Sequence, residues 1–139
     1  MNEVNKNYYR ISIKALILDD TNRFLLTLEE NGIWELLGGG LEYGENPYDC
    51  LVRELKEEAG LEVTQVNSKP AYFVTAIDNK GIWKANLIYK VKIKNLNFLP
   101  SDECIELKFF TKTEVLREKL YPTVSEFVKI FKSETKDLR

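Results

Sequence analysis

GGLEYGENPYDCLVRELKEEAGL, residues 39–61, places a glycine turn, a capped helix and five glutamates in one short stretch. Asn46 is a residue type that caps helices, Pro47 suits the first helical position, where its missing N–H costs nothing, and Gly60 takes readily the left-handed conformation that ends a helix. The spacing therefore predicts a helix from about Pro47 to Ala59. On it Tyr48, Leu51, Val52, Leu55 and Ala59 share one stripe, while Glu54, Glu57 and Glu58 gather on a neighbouring one at i, i+3 and i+4.

Carboxylates at that spacing repel by about a few tenths of a kcal/mol per pair, so helix stability gives no reason to cluster them. A hard cation does, because Mg²⁺ takes oxygen ligands, keeps some of its waters and is commonly held by a few carboxylates together with phosphate oxygens. Arg53 can reach Glu57 one turn on, or orient a glutamate through a forked hydrogen bond. Gly38, Gly39 and Gly40, with Gly44 beyond, let backbone turn where side chains forbid it and approach a ligand closely. Any single glutamate on such a helix is most often a solvated charge, and any glycine run most often a plain turn, so the weight rests on the joint pattern.

That joint pattern resembles the Nudix box, G-x5-E-x7-R-E-U-x-E-E-x-G-U with U an aliphatic residue. Gly39, Glu45, Arg53, Glu54, Leu55, Glu57, Glu58, Gly60 and Leu61 occupy every specified position. The resemblance implies a hydrolase of a nucleoside diphosphate linked to another group, using Mg²⁺ or Mn²⁺ to cleave a pyrophosphate bond. It implies metal binding by Glu54, Glu57 and Glu58 and by the carbonyl of Gly38. Glu54 also matches the residue that in some members is the base on the attacking water, Arg53 the one that orients it, and Glu45 one that supports the site. Gly39 and Gly40 are candidate substrate contacts. The alternative is a Nudix-fold nucleotide sensor or protein-interaction module with little catalysis, which an intact box disfavours.

The chain contains no histidine. General base work near neutral pH then falls to a carboxylate, a lysine or a metal-bound hydroxide, which suits diphosphate chemistry assisted by a metal and disfavours mechanisms built on a histidine base.

A length of 139 residues predicts one domain able to bury a sizeable core, with the ends, residues 1–7 and 133–139, expected to fray. Net charge is −2, without the basic excess of a protein that binds nucleic acid in bulk. No segment has signal-peptide character or the length to cross a bilayer, so a cytoplasmic protein with no membrane partner is expected. Cys50 and Cys104 lack the spacing of a metal knuckle or a redox pair and are expected as buried thiols. Homodimers are frequent among similar proteins.

Tyr9 to Leu18 and Arg23 to Leu28 are rich in β-formers and flank the turn residues Asp19-Asp20-Thr21-Asn22. Ile33 to Leu37 reads as a short extended piece leading into the glycines. Glu62 to Val66 and Ala71 to Ile77 follow as strands, and Asp78-Asn79-Lys80-Gly81 turns the chain into Ile82 to Ile93 as a hairpin. Ile105 to Phe110 is a further strand, Lys112 to Lys119 a short helix, and Tyr121 to Lys132 a terminal helix. This order suits an α+β fold, the α/β/α sandwich with a mixed β-sheet between helices that the resemblance implies.

Outside the box, Ser101-Asp102-Glu103-Cys104-Ile105-Glu106 is similar to a later loop of the family in which another glutamate reaches the metals. Glu103 is the first choice there and Glu106 the second. Trp34, beside the glycines, is the first candidate for stacking on a base, ahead of Tyr72, Phe73, Trp83 and Tyr89. Leu37 stands where members often have proline, and Glu29-Glu30 where many have a basic residue. Lys80, Lys84 or a residue at the far end of the cleft are left as phosphate contacts, and the spacing selects none. No accessory substrate motif is complete, so a nucleoside triphosphate or related nucleotide is the default substrate.

Overall fold

The computed structural model of the protein describes residues 7–133. The expected frayed ends fall, apart from Asn7 and Ser133, outside the described residues. Eleven elements follow in the order β1 (Arg10–Leu16), β2 (Phe24–Leu28), β3 (Trp34–Glu35), β4 (Gly38–Gly40), α1 (Pro47–Ala59), β5 (Val63–Val66), β6 (Tyr72–Ile77), β7 (Trp83–Ile93), β8 (Glu106–Phe110), α2 (Lys112–Val115) and α3 (Pro122–Ile130).

They build two sheets. In the five-stranded one the order is β4-β1-β7-β5, with β6 also on β7; the other is β3-β2-β8. β1 lies parallel to β7 and antiparallel to β4, so the larger sheet is mixed as expected. β6 and β7 form the expected antiparallel hairpin, from Ile77 opposite Trp83 to Tyr72 opposite Ile88.

β1 is buried on both faces, and its alternation sends side chains into two cores. Ile13 and Ala15 join Leu37, Leu51, Leu55, Ala59 and Cys104 under α1. Leu16 joins Phe24, Trp34, Ile88, Phe110, Phe127 and Phe131 under α3, where Phe24 meets Phe127 and Phe131 edge-on at 5.3 and 5.2 Å. Full burial of each such side chain stabilises by about 1.5–3 kcal/mol.

Three expectations need correction. The glycines are not only a turn, because Gly38–Gly40 is itself a strand paired to β1, with Gly38 opposite Lys14 and Gly40 opposite Ser12. The buried stripe of α1 is rotated from the predicted one: Cys50, Leu51, Leu55, Glu58 and Ala59 are buried, while Tyr48 is half exposed. Glycine strand β4 lets α1 approach closely, and that approach takes Glu58 and Cys50 inside. Finally, the predicted helix over 112–119 stops at Val115. A capping box between Thr111 and Glu114 starts it, but the amide of Trp34 takes the carbonyl of Lys119 and the amide of Tyr121 takes that of Trp34, which pulls 119–121 into extended pairing with β3.

Candidate active site

α1 begins as its sequence dictates. The side chain of Asn46 accepts from the amide of Asp49, Pro47 occupies the first turn, and Gly60 closes the helix at φ 63° with its N–H on the carbonyls of Leu55 and Lys56. The helix lays its acidic side along β4. Gly38 sits at φ +127°, and a Cβ there would overlap the carbonyl oxygen of Ile13. Gly39 has ordinary dihedrals, but a Cβ on it would overlap Oε1 of Glu54. The carboxylate of Glu54 therefore rests on bare backbone.

Arg53 organises the next layer. Its Nε and Nη2 grip both oxygens of Glu45 at 2.8 and 2.9 Å, Nη1 takes Glu54 at 2.5 Å and Glu57 at 3.2 Å, and Nη2 also donates to the carbonyl of Gly40 at 3.1 Å. The guanidinium holds the Glu45 carboxyl far below the usual range, at about 2. Lysine cannot reproduce this fork. Arg53→Lys is expected to cut kcat about 10–100-fold, as loss of an orienting partner usually does, with little change in melting temperature. Unchanged kcat in a folded variant would show that the fork does not position the reacting groups.

Glu58 is the buried acid, 4% exposed, with Oε1 accepting from the amide of Gly38 at 2.9 Å. Burial pushes its carboxyl up to about 8, with Glu54 and Glu103 adding to the rise, against the pull of Lys14 and of the Gly38 N–H. Ser101 ties the later loop to this point: its hydroxyl donates to the carbonyl of Glu58 at 2.5 Å and accepts from the amide of Glu103 at 3.2 Å. Thr27 on β2 donates to the carbonyl of Glu103 at 2.9 Å. These anchors put Glu103 in the cleft, whereas Glu106, at the start of β8, is exposed and does not line it.

The cleft has a volume of about 460 Å³. Glu54, Glu58, Glu103 and the three glycines line it together with Arg10, Lys14, Lys80 and Lys84, and so do Glu29, Glu35, Tyr121 and Thr123; the Arg10 guanidinium lies beside Gly40. The structure thus brings together Gly38, Gly39, Gly40, Glu54, Glu58 and Glu103. Glu45 and Arg53 stand behind Glu54, and Glu57 lies outside the lining, over half exposed and held by Arg53.

Trp34 is a correction. Its ring is 5% exposed, edge-on to Phe110 at 4.9 Å, with Nε1 donating to Glu118, so it packs in the second core rather than offering a face to a ligand. Tyr72 packs on Phe127 and Tyr89 is buried; Phe73 and Trp83 are exposed. Leu37, in the place often taken by proline, is wholly buried and offers its carbonyl to Ala15. Glu29 accepts from the Tyr121 hydroxyl at 2.7 Å. Cys50 lies against the carbonyls of Gly39 and Gly40, and burial pushes its thiol up to about 12, so it is no nucleophile.

Sequence reasoning missed Lys14 and Arg10. Lys14 is 7% exposed, with Nζ 3.4 Å from the carbonyls of Leu36 and Gly38 and 3.8 Å from Glu35. Burial lowers its pKa, but Glu35, Glu58, Glu29 and Glu54 together outweigh burial and leave it raised. A lone cation inside the apolar run ISIKALIL was the available signal. Arg10 is opposite Lys84 in the strand register and has no ion-pair partner among the described residues; its guanidinium lies beside Gly40, while the Lys84 ammonium is 3.8 Å from Asp78. On the same sheet face Asn86, opposite Ser12 and Val74, is fully buried with its side-chain oxygen unpaired.

The acidic donor set is all oxygen, the carboxylates of Glu54, Glu58 and Glu103 with backbone carbonyls beside them. Such a set fits a hard divalent cation that completes its shell with water and substrate oxygens. It is not a finished cage. Among the described residues no three acidic side chains converge on one point, because Arg53 draws Glu54 and Glu57 to itself.

The family model of the NUDIX domain matches residues 8–131. The chain is 37% identical over 59 residues to a CTP pyrophosphohydrolase of Escherichia coli, covering 39% of this chain and 44% of that protein. It is 32% identical over 65 residues to an RNA pyrophosphohydrolase of Ruthia magnifica, and there the match spans 46% of this chain and only 36% of the relative. Among solved structures, the E. coli ORF135 protein superposes with a TM-score of 0.71 at 24% identity, covering 87% of this chain and 86% of that one. A MutT protein from Methanosarcina mazei superposes with a TM-score of 0.69 at 22% identity, covering 91% and 92%. No helix among the described residues is long and apolar enough to cross a membrane.

Proposed function

Since the chain belongs to the NUDIX family, we propose that it is a hydrolase dependent on Mg²⁺ or Mn²⁺ that cleaves the pyrophosphate bond of a nucleoside diphosphate linked to another group, a nucleoside triphosphate foremost. The observation that carries this reading is one cleft lined by both acidic groups, Glu54, Glu58 and Glu103, and basic ones, Arg10, Lys80 and Lys84. A diphosphate bridged to a cation needs both. The names of the two relatives, an RNA pyrophosphohydrolase and a CTP pyrophosphohydrolase, are consistent with a nucleotide substrate.

Glu54, Glu58, Glu103 and the carbonyl of Gly38 would hold the cation. When bound, it neutralises phosphate charge and makes water more acidic. The protein's own part is positional and protolytic. Glu54, fixed against Gly39 by Arg53, accepts the proton of the attacking water as that water's oxygen bonds to phosphorus and the anhydride P–O bond breaks. Glu45 keeps Arg53 in place through its paired hydrogen bonds. Arg10, Lys80 and Lys84 draw the polyphosphate into the cleft and orient it.

A panel of nucleotides incubated with Mg²⁺ or Mn²⁺, read by mass beside a Glu54→Gln control, tests the reading. Cleavage between the α and β phosphorus atoms of a triphosphate is expected. Two monophosphate products would instead identify a capped diphosphate as the substrate. An inert panel together with nucleotide binding by calorimetry would overturn the hydrolase and establish the sensor.

A further inference from the structure

Lys14 is the feature that the reaction as described does not use. It is a buried cation in the middle of β1, directly across from Gly38 in the strand register, and its ammonium lies 3.4 Å from the Gly38 carbonyl. That carbonyl is one of the oxygens proposed above for the divalent ion. The amide of the same residue donates to Glu58, so the N–H and the C=O of one glycine connect Lys14 to the buried carboxylate. Glu35, 3.8 Å from Nζ, is itself pinned by the amide of Leu36 at 2.8 Å. Lys14 therefore faces a wall of fixed oxygens and no flexible partner.

Resting on the proposed function, we propose that Lys14 is a tethered counter-ion of the acidic groups, which occupies the Gly38 carbonyl in the free protein and competes there with the divalent metal. The physical ground is electrostatic. Glu35, Glu58 and Glu103 line a partly dry cleft, where unneutralised carboxylates repel strongly, and a resident ammonium keeps them together before any ion arrives. The same charge repels an incoming divalent cation and shares its ligand. Lys14 thus keeps the cleft preformed while weakening metal binding in the absence of substrate, and the phosphate charge of an arriving nucleotide offsets that repulsion. Metal then enters with the nucleotide rather than ahead of it.

The test reads binding rather than turnover. Mn²⁺ affinity of the nucleotide-free protein, measured by electron paramagnetic resonance for the wild type and for Lys14→Met, which has nearly the same length and no charge, is expected to rise at least about tenfold in the variant. The melting temperature of the variant without metal should fall, and Mn²⁺ should restore it. If the wild type binds Mn²⁺ and the variant binds it equally or more weakly, the tethered counter-ion is overturned while the proposed function stands. If neither binds a divalent ion, with or without nucleotide, both readings fall. A measurement on the unaltered protein covers the case in which Lys14→Met does not fold. The ¹⁵N resonance of the Lys14 ammonium is expected to shift as Mg²⁺ and nucleotide are added, and a resonance that stays put at saturation overturns the inference.

Discussion

Glu54→Gln is expected to lower kcat with Mg²⁺ by about 10²- to 10⁴-fold, the range that a lost general base covers, while the protein still folds. The amide has the size of the carboxylate, and its oxygen still accepts from Arg53, so position is kept while basicity and charge are lost. The carboxylate is only partly exposed and rests on Gly39. A single-turnover assay at saturating nucleotide, with thermal melting in parallel, isolates the chemical step. Undiminished turnover would take Glu54 out of the proton transfer and leave another carboxylate of the cleft, or a lysine, to accept the proton.

Gly39→Ala should cost nearly as much without touching any ionisable group. The backbone at 39 lies outside the left-handed region, so alanine is tolerated by the chain itself, but its methyl would fall on Oε1 of Glu54. The carboxylate must then move, and a displacement near 1 Å at a reacting group costs on the order of 10²-fold in rate. Circular dichroism should be unchanged and kcat reduced. Position 38 makes the contrast, because a side chain there meets the backbone of Ile13 and Lys14 and damages the sheet instead. Full activity in Gly39→Ala would mean that the carboxylate has room to spare and that its observed seat is not the working one.

The helix carrying the glutamates was legible because its signals are local: Asn46, Pro47 and Gly60 act within one or two turns, and each performs the expected task. The hairpin over 78–81 was legible for the same reason, with Asp78 accepting from the amides of Lys80 and Ile82. What escaped was set by partners far away in sequence. Three glycines carry no side chain to announce a strand, and only the edge of β1 makes them one. Lys14 breaks an apolar alternation, and periodicity alone assigns such a residue no place; its surroundings come from Glu35, Gly38 and Glu58, which the tertiary fold delivers. Trp34 was misjudged through nearness in sequence to the glycines. Its ring points to the other side of the chain, toward Phe110 and Glu118. Arg10 and Lys84 became partners only through parallel pairing, which no local pattern foretells.

Parallel alignment of β1 with β7 also bears on how the molecule comes to exist. The first strand waits for a neighbour synthesised more than half a chain later, and pairings of such high sequence separation make refolding slow, since the closure entropy is lost before the contacts form. A nascent chain that has just released its glutamate helix has neither the basic rim of the later hairpin nor Glu103. Of the three cations that meet the polyphosphate it has only Arg10. Ligand recognition is a property of the finished molecule alone, so a bound nucleotide retards unfolding while leaving the pace of refolding as it was.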